Sequence, residues 1–199
     1  MPRSPISRLG FISCMGIALA ALPLMTACSG SAPRPAGGIQ PPAVGAKAPD
    51  FTLNTLDGKA VTLSEINKSG PVVVVALRGW NGYQCPLCNQ QVGDLASHGA
   101  DLTAAGAQVV LIYPGVADGL ADHAKEFNSG AGLPAGFHFV TDPNMAMITA
   151  WGLRWDEEGE TAYPSAFVLD ANGTVKFAKV SNSHGGRASS EEILATLKE

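Results

Sequence analysis

Two cysteines three residues apart, Cys85 and Cys88 in the run RGWNGYQCPLCNQQ, are the residues most able to do chemistry in this chain. Placed on the first turn of a helix, positions three apart face one another, at a Cα separation that a disulfide tolerates with little backbone movement. The thiol nearer the helix start is favoured as thiolate, because unpaired backbone N–H groups and the positive end of the helix dipole stabilise negative charge there. Cys85 is therefore the expected nucleophile and Cys88 the expected resolving thiol. Pro86 suits the first helical turn, where its missing N–H costs nothing. The alternative use of a CxxC is half of a zinc site, which wants four ligands from a second CxxC or a paired-histidine motif. Neither follows in the sequence, so no metal is assigned.

The element that must deliver these thiols lies just ahead of them. PVVVVAL, from Pro71 to Leu77, offers four consecutive valines and no polar face, the pattern of a strand buried on both sides. A helix is expected from Pro86 to Ala105, weakened by Gly93 and Gly99 and stopped by Gly106. QVVLIY, from Gln108 to Tyr113, is a second buried strand ending at Pro114, and a helix is expected over Ala117 to Asn128. Phe137 to Val140 forms a short strand. Asp142 and Pro143 read as the cap and first residue of a helix carrying Met145, Ile148 and Trp151. Ala166–Leu169 and Val175–Val180 pair as a hairpin around Asp170–Gly173. Ser189 and Glu192 match a capping box for a last helix. The order predicts an α/β domain: a central mixed sheet, helices on both faces, and the thiols at the C-terminal edge of a central strand.

The N-terminus bears on the compartment. Arg3 and Arg8 precede an apolar run from Leu9 to Met25 with small residues before Cys28, the layout of a secretory signal and too short for a membrane span. LMTAC resembles a bacterial lipobox, although Met25 departs from its commonest pattern; the resemblance implies that Cys28 is lipidated and opens the mature chain. The organisation expected is a signal peptide over 1–27, a lipid anchor and Ser/Gly/Pro-rich tether over 28–43, and one domain over 44–199, on the extracytoplasmic side of a membrane. Only Cys85 and Cys88 then remain as thiols. A formal charge of −4, with basic residues scattered along the chain, offers no nucleic-acid surface.

Four stretches together, VGAKAPDFTLNTLDGKAVTL, VVVVALRGWNGYQCPLC, TDPNMAMITAWGL and YPSAFVLDANGTV, resemble the redoxin family. Its thioredoxin-like fold carries peroxiredoxins of the alkyl hydroperoxide reductase and thiol-specific antioxidant type, together with thioredoxin-like lipoproteins. The resemblance implies a thiol oxidoreductase with a Cys85–Cys88 disulfide cycle, an external thiol reductant, and either a peroxide or a disulfide as substrate. The peroxidatic Pro-x-x-x-Thr/Ser-x-x-Cys motif is absent in either register. Counting back from Cys85, its places hold Arg78 and Gly82. The family's arginine ahead of the strand Ala166–Leu169 is replaced by Pro164. As a cis-proline facing the thiols, Pro164 would resemble the disulfide reductases. Arg78 is read either as a surface arginine or as the group that lowers the Cys85 pKa and takes the missing arginine's place. Trp80 and Tyr83 could line an apolar lip for substrate or simply pack the loop. His184, late in the fold, resembles copper-delivery proteins of the thioredoxin superfamily, where the thiol spacing is wider than in CPLC.

Overall fold

The computed structural model describes residues 38–130 and 132–199. The signal segment, Cys28 and the first part of the tether lie outside the described residues. Immediately ahead of Val44 the chain already lies on the domain: Pro42 is buried, and the Ile39 carbonyl runs against Gly152, where a Cβ would come within 2.1 Å of it.

Seven strands form one mixed sheet. They are β1 (Thr52–Thr55), β2 (Ala60–Thr62), β3 (Val72–Ala76), β4 (Gln108–Gly115), β5 (Phe137–Pro143), β6 (Ser165–Leu169) and β7 (Val175–Val180), in the order β2-β1-β5-β4-β3-β6-β7. β3, β4 and β5 run parallel, while β6 pairs antiparallel to β3 and β7 to β6. All five β3 residues are buried, as the run of valines requires, because both faces of the sheet are covered. On one face Val73, Val75 and Leu77 pack with α2 (Pro86–Ser97), α3 (Gly99–Ala104), α4 (Leu120–Ser129) and α6 (Ser190–Leu197). On the other, Val72, Val74 and Ala76 pack with α1 (Leu63–Ile66) and α5 (Ala146–Ala150) through Leu63, Met147 and Ile148. Among the described residues no helix is long and apolar enough to cross a membrane.

The helix expected from Pro86 to Ala105 is divided at His98 into α2 and α3. Gly99 is the reason a second start is possible there: a Cβ would meet Pro134 at 2.5 Å, so this turn can approach the neighbouring loop only without a side chain. Asp142 does cap a helix, but not as the residue before a helical proline. Pro143 ends β5, and the buried Asp142 carboxylate reaches forward to accept the N–H groups of Met147 (3.1 Å) and Ile148 (2.9 Å) at the start of α5. The capping box at Ser189 and Glu192 forms as read.

Candidate active site

Three segments far apart in sequence surround the thiols: the loop after β3 (78–84), the loop before β6 (155–163) and the loop after β7 (181–188). The first leaves the sheet through Gly79, whose φ of +63° and contact with Pro114 admit no side chain; a Cβ there would sit 1.8 Å from the Pro114 oxygen. Trp80 N–H then bonds that same carbonyl at 2.9 Å, pinning the loop to the end of β4.

Cys85 is the N-cap of α2, Pro86 its first residue, and Cys88 lies one turn in, its N–H bonding the Cys85 carbonyl at 3.1 Å. Both cysteines are free thiols and buried, Cys85 at 3% and Cys88 at 1% exposure. They face each other closely enough for the Cys88 thiol to donate to the Cys85 sulfur, and this hydrogen bond is the main reason the Cys85 pKa falls, to about 5. Burial opposes it; the Cys88 backbone N–H, the Arg187 charge and the Arg78 side chain reinforce it. Cys88 moves the other way: donating to Cys85 and being buried both hold it as the neutral thiol. The pair is thus split into a low-pKa thiol and a proton-bearing partner, in the direction expected of the helix start but chiefly through the Cys88 thiol hydrogen bond.

The arginine over the sulfurs is Arg187, a residue the sequence reading did not single out. Its Nη2 lies 3.4 Å from the Cys88 sulfur and 3.7 Å from that of Cys85, while its Nη1 donates to Gln91 Oε1 at 2.8 Å. It arrives from the loop after β7, 102 residues beyond Cys85. No local motif announces such a contact. The one available sequence signal was the arginine missing at Pro164, which demanded a replacement from elsewhere.

Arg78 is neither a surface residue nor free to face a substrate. The side chain is 1% exposed and spent on protein acceptors: Nη2 lies 2.6 Å and Nε 2.8 Å from the Glu160 carboxylate, Nη1 donates to the Tyr83 hydroxyl at 2.6 Å, and Nη2 to the Gly159 carbonyl at 3.2 Å. Beside the side chain's part in lowering the Cys85 pKa, its backbone N–H points at the Cys88 sulfur at 3.4 Å. Tyr83 stands exposed at the rim, its ring 5.3 Å from the Arg78 guanidinium. Trp80 is half-buried and stacks on His123, with ring centroids 3.4 Å apart. Pro164 is preceded by a trans bond, since the described residues contain no cis peptide, which corrects the cis-proline expectation. Its carbonyl accepts the Ser181 N–H at 2.9 Å, just past the end of β7. His184 binds Glu160 through Nε2 at 2.8 Å, and no group of three or more His, Cys, Asp and Glu side chains is gathered as a metal site among the described residues.

Fold and site together define a thiol-dependent oxidoreductase of the thioredoxin-like, peroxiredoxin class. The chain belongs to the AhpC/TSA family, whose model matches residues 44–178. A Mycobacterium tuberculosis protein that bears the name "Putative peroxiredoxin" is 33% identical over 140 residues, covering 68% of this chain and 83% of that protein. Chloroplastic peroxiredoxin Q of Oryza sativa is 34% identical over 133 residues, 67% of this chain and 57% of its own length. Among solved structures, a reduced peroxiredoxin of Vibrio vulnificus in complex with hydrogen peroxide superposes with a TM-score of 0.65 at 20% identity, over 78% of this chain and 98% of that one.

Proposed function

We propose that the protein reduces peroxides through a Cys85/Cys88 dithiol–disulfide cycle. The Cys85 thiolate attacks one oxygen of the peroxide; an S–O bond forms as the O–O bond breaks, and the departing oxygen takes a proton and leaves as water or alcohol. Cys85 is then a sulfenic acid. The Cys88 sulfur attacks it, the S–S bond replaces the S–O bond, and water carries away the oxygen with the Cys88 proton. Arg187 and the Arg78 backbone N–H stabilise the charge that develops on Cys88 as it is deprotonated. Two electrons from an external thiol reductant reopen the bridge.

The observation that carries this reading is a buried, low-pKa thiol at a helix start, with a guanidinium and a second thiol beside it. At 3% exposure Cys85 suits a small peroxide better than a protein disulfide, and the trans bond before Pro164 does not favour the reductase alternative. The test is stopped-flow oxidation of the reduced protein by hydrogen peroxide. A rate well above that of a free thiol of matched pKa, lost in Cys85→Ser, is expected; a rate no faster would sink the reading.

The extracytoplasmic, lipid-anchored location is proposed on the N-terminal sequence alone: Arg3, Arg8, the apolar run and LMTAC ending at Cys28. Metabolic labelling with a radiolabelled fatty acid should mark the wild-type chain and not Cys28→Ala.

A further inference from the structure

Arg187 approaches the thiols from an exposed loop and is not part of a strand or helix, so something must hold that loop. Within the loop, Ser181 Oγ donates to the Ser183 carbonyl at 2.8 Å and also to that of Gly185, and Arg187 Nε donates to the His184 carbonyl at 3.1 Å. These bonds make 181–187 one unit in which the position of His184 sets that of Arg187. Outward, the unit is tied at its start by the Ser181 N–H to the Pro164 carbonyl and, nearer Arg187, by the His184 ring. Its Nε2 meets Glu160 Oε1 at 2.8 Å, and the ring leans on Trp155 with centroids 5.3 Å apart. Glu160 cannot follow a wandering loop, because its other oxygen is fixed by the buried Arg78 and its side chain is only 12% exposed. Trp155 is likewise braced, stacked on Tyr163 at 4.8 Å.

We propose that His184 and Glu160 are positioning residues whose contact clasps the loop after β7 to the loop before β6 and so holds the Arg187 guanidinium over Cys85 and Cys88. The clasp touches neither sulfur, and its effect on the chemistry passes through Arg187. One carboxylate thereby serves two arginines: it anchors Arg78 in the protein and stations Arg187 at the thiols. The proposal rests on Cys85 being the nucleophile.

The test is the pH dependence of Cys85 alkylation by iodoacetamide, followed on the Cys85 peptide by mass spectrometry, in the reduced full chain carrying His184→Ala, His184→Gln, Arg187→Ala or His184→Ala with Arg187→Ala. Loss of the guanidinium should move the midpoint up by about one pH unit, the scale on which a neighbouring opposite charge acts. His184→Ala should move it the same way by less, since Gln91 still holds Arg187. His184→Gln, which keeps a donor for Glu160, should restore it, and the double variant should go no further than Arg187→Ala alone. An unmoved midpoint in His184→Ala, or additive shifts in the double variant, overturns the clasp. His184 is 45% exposed, so its truncation opens no cavity. Failure here is separable from failure of the peroxidase reading. A chain whose Cys85 titrates as described yet ignores peroxide keeps the clasp and loses the peroxidase, and the converse result does the opposite.

Discussion

At Cys85 burial and hydrogen bonding pull in opposite directions, and hydrogen bonding wins: the Cys88 thiol, the Cys88 N–H and two arginines outweigh the cost of holding charge at 3% exposure. The consequence at neutral pH is a thiolate on Cys85 and a proton on Cys88, which divides the roles before any substrate arrives. Cys88→Ser should therefore leave the first oxidation step in place and strand the enzyme as the Cys85 sulfenic acid, detectable as a dimedone adduct by mass spectrometry after one equivalent of peroxide. Wild type should yield the intramolecular disulfide and no adduct. A Cys88→Ser protein that neither consumes peroxide nor traps dimedone would assign the nucleophile wrongly. The pairing of the two cysteines and the lower pKa of Cys85 were legible from spacing and helix electrostatics. Arg187 was not, because its place over the sulfurs exists only once β7 has paired with β6 and carried the chain back across the thiol helix. Arg78, near Cys85 in sequence, does help lower the Cys85 pKa, but the half-buried Glu160 carboxylate claims most of its side chain and keeps it from a substrate.

Secondary elements matter here chiefly through their ends. The valine run of β3 and the capping box of α6 were readable because a two-sided burial pattern and a reciprocal cap are both local. The break between α2 and α3 and the start of α5 were not, since each is decided by a partner elsewhere, Pro134 against Gly99 and Asp142 reaching past Pro143. Asp142 is fully buried, and burial raises its pKa even though it accepts two backbone N–H groups. Replacing it with Ala would orphan both donors in a dry setting, so Asp142→Ala should lower unfolding stability by about 1–3 kcal/mol in a denaturant titration. Peroxide kinetics of the folded fraction should stay unchanged. Gly79→Ala is a harsher test of the link between β3 and the thiols. The strained φ and the collision with Pro114 should either unfold the protein or displace the loop, read as loss of both thermal stability and peroxide reactivity.

On the scale of the whole molecule, the thiol pair couples folding to pH. In the folded chain Cys85 titrates near 5, whereas an unstructured thiol titrates near 9, so between those values the unfolded state binds a proton that the native state does not. Stability of the reduced protein must then rise with pH across that window and be lost as pH falls through the folded value. Buried Asp142 acts in the opposite sense: with a raised folded pKa, its protonated form favours the native state at acid pH. The two contributions are separated by genotype. Denaturant midpoints measured at pH 5 and pH 7 should differ more, in favour of pH 7, for the reduced wild type than for Cys85→Ala, and the excess should vanish when the wild type is oxidised to the Cys85–Cys88 disulfide, which has no thiol left to titrate. An oxidised protein that keeps the whole pH dependence of the reduced one would locate the linkage in the carboxylates and remove the low-pKa thiolate from the native state.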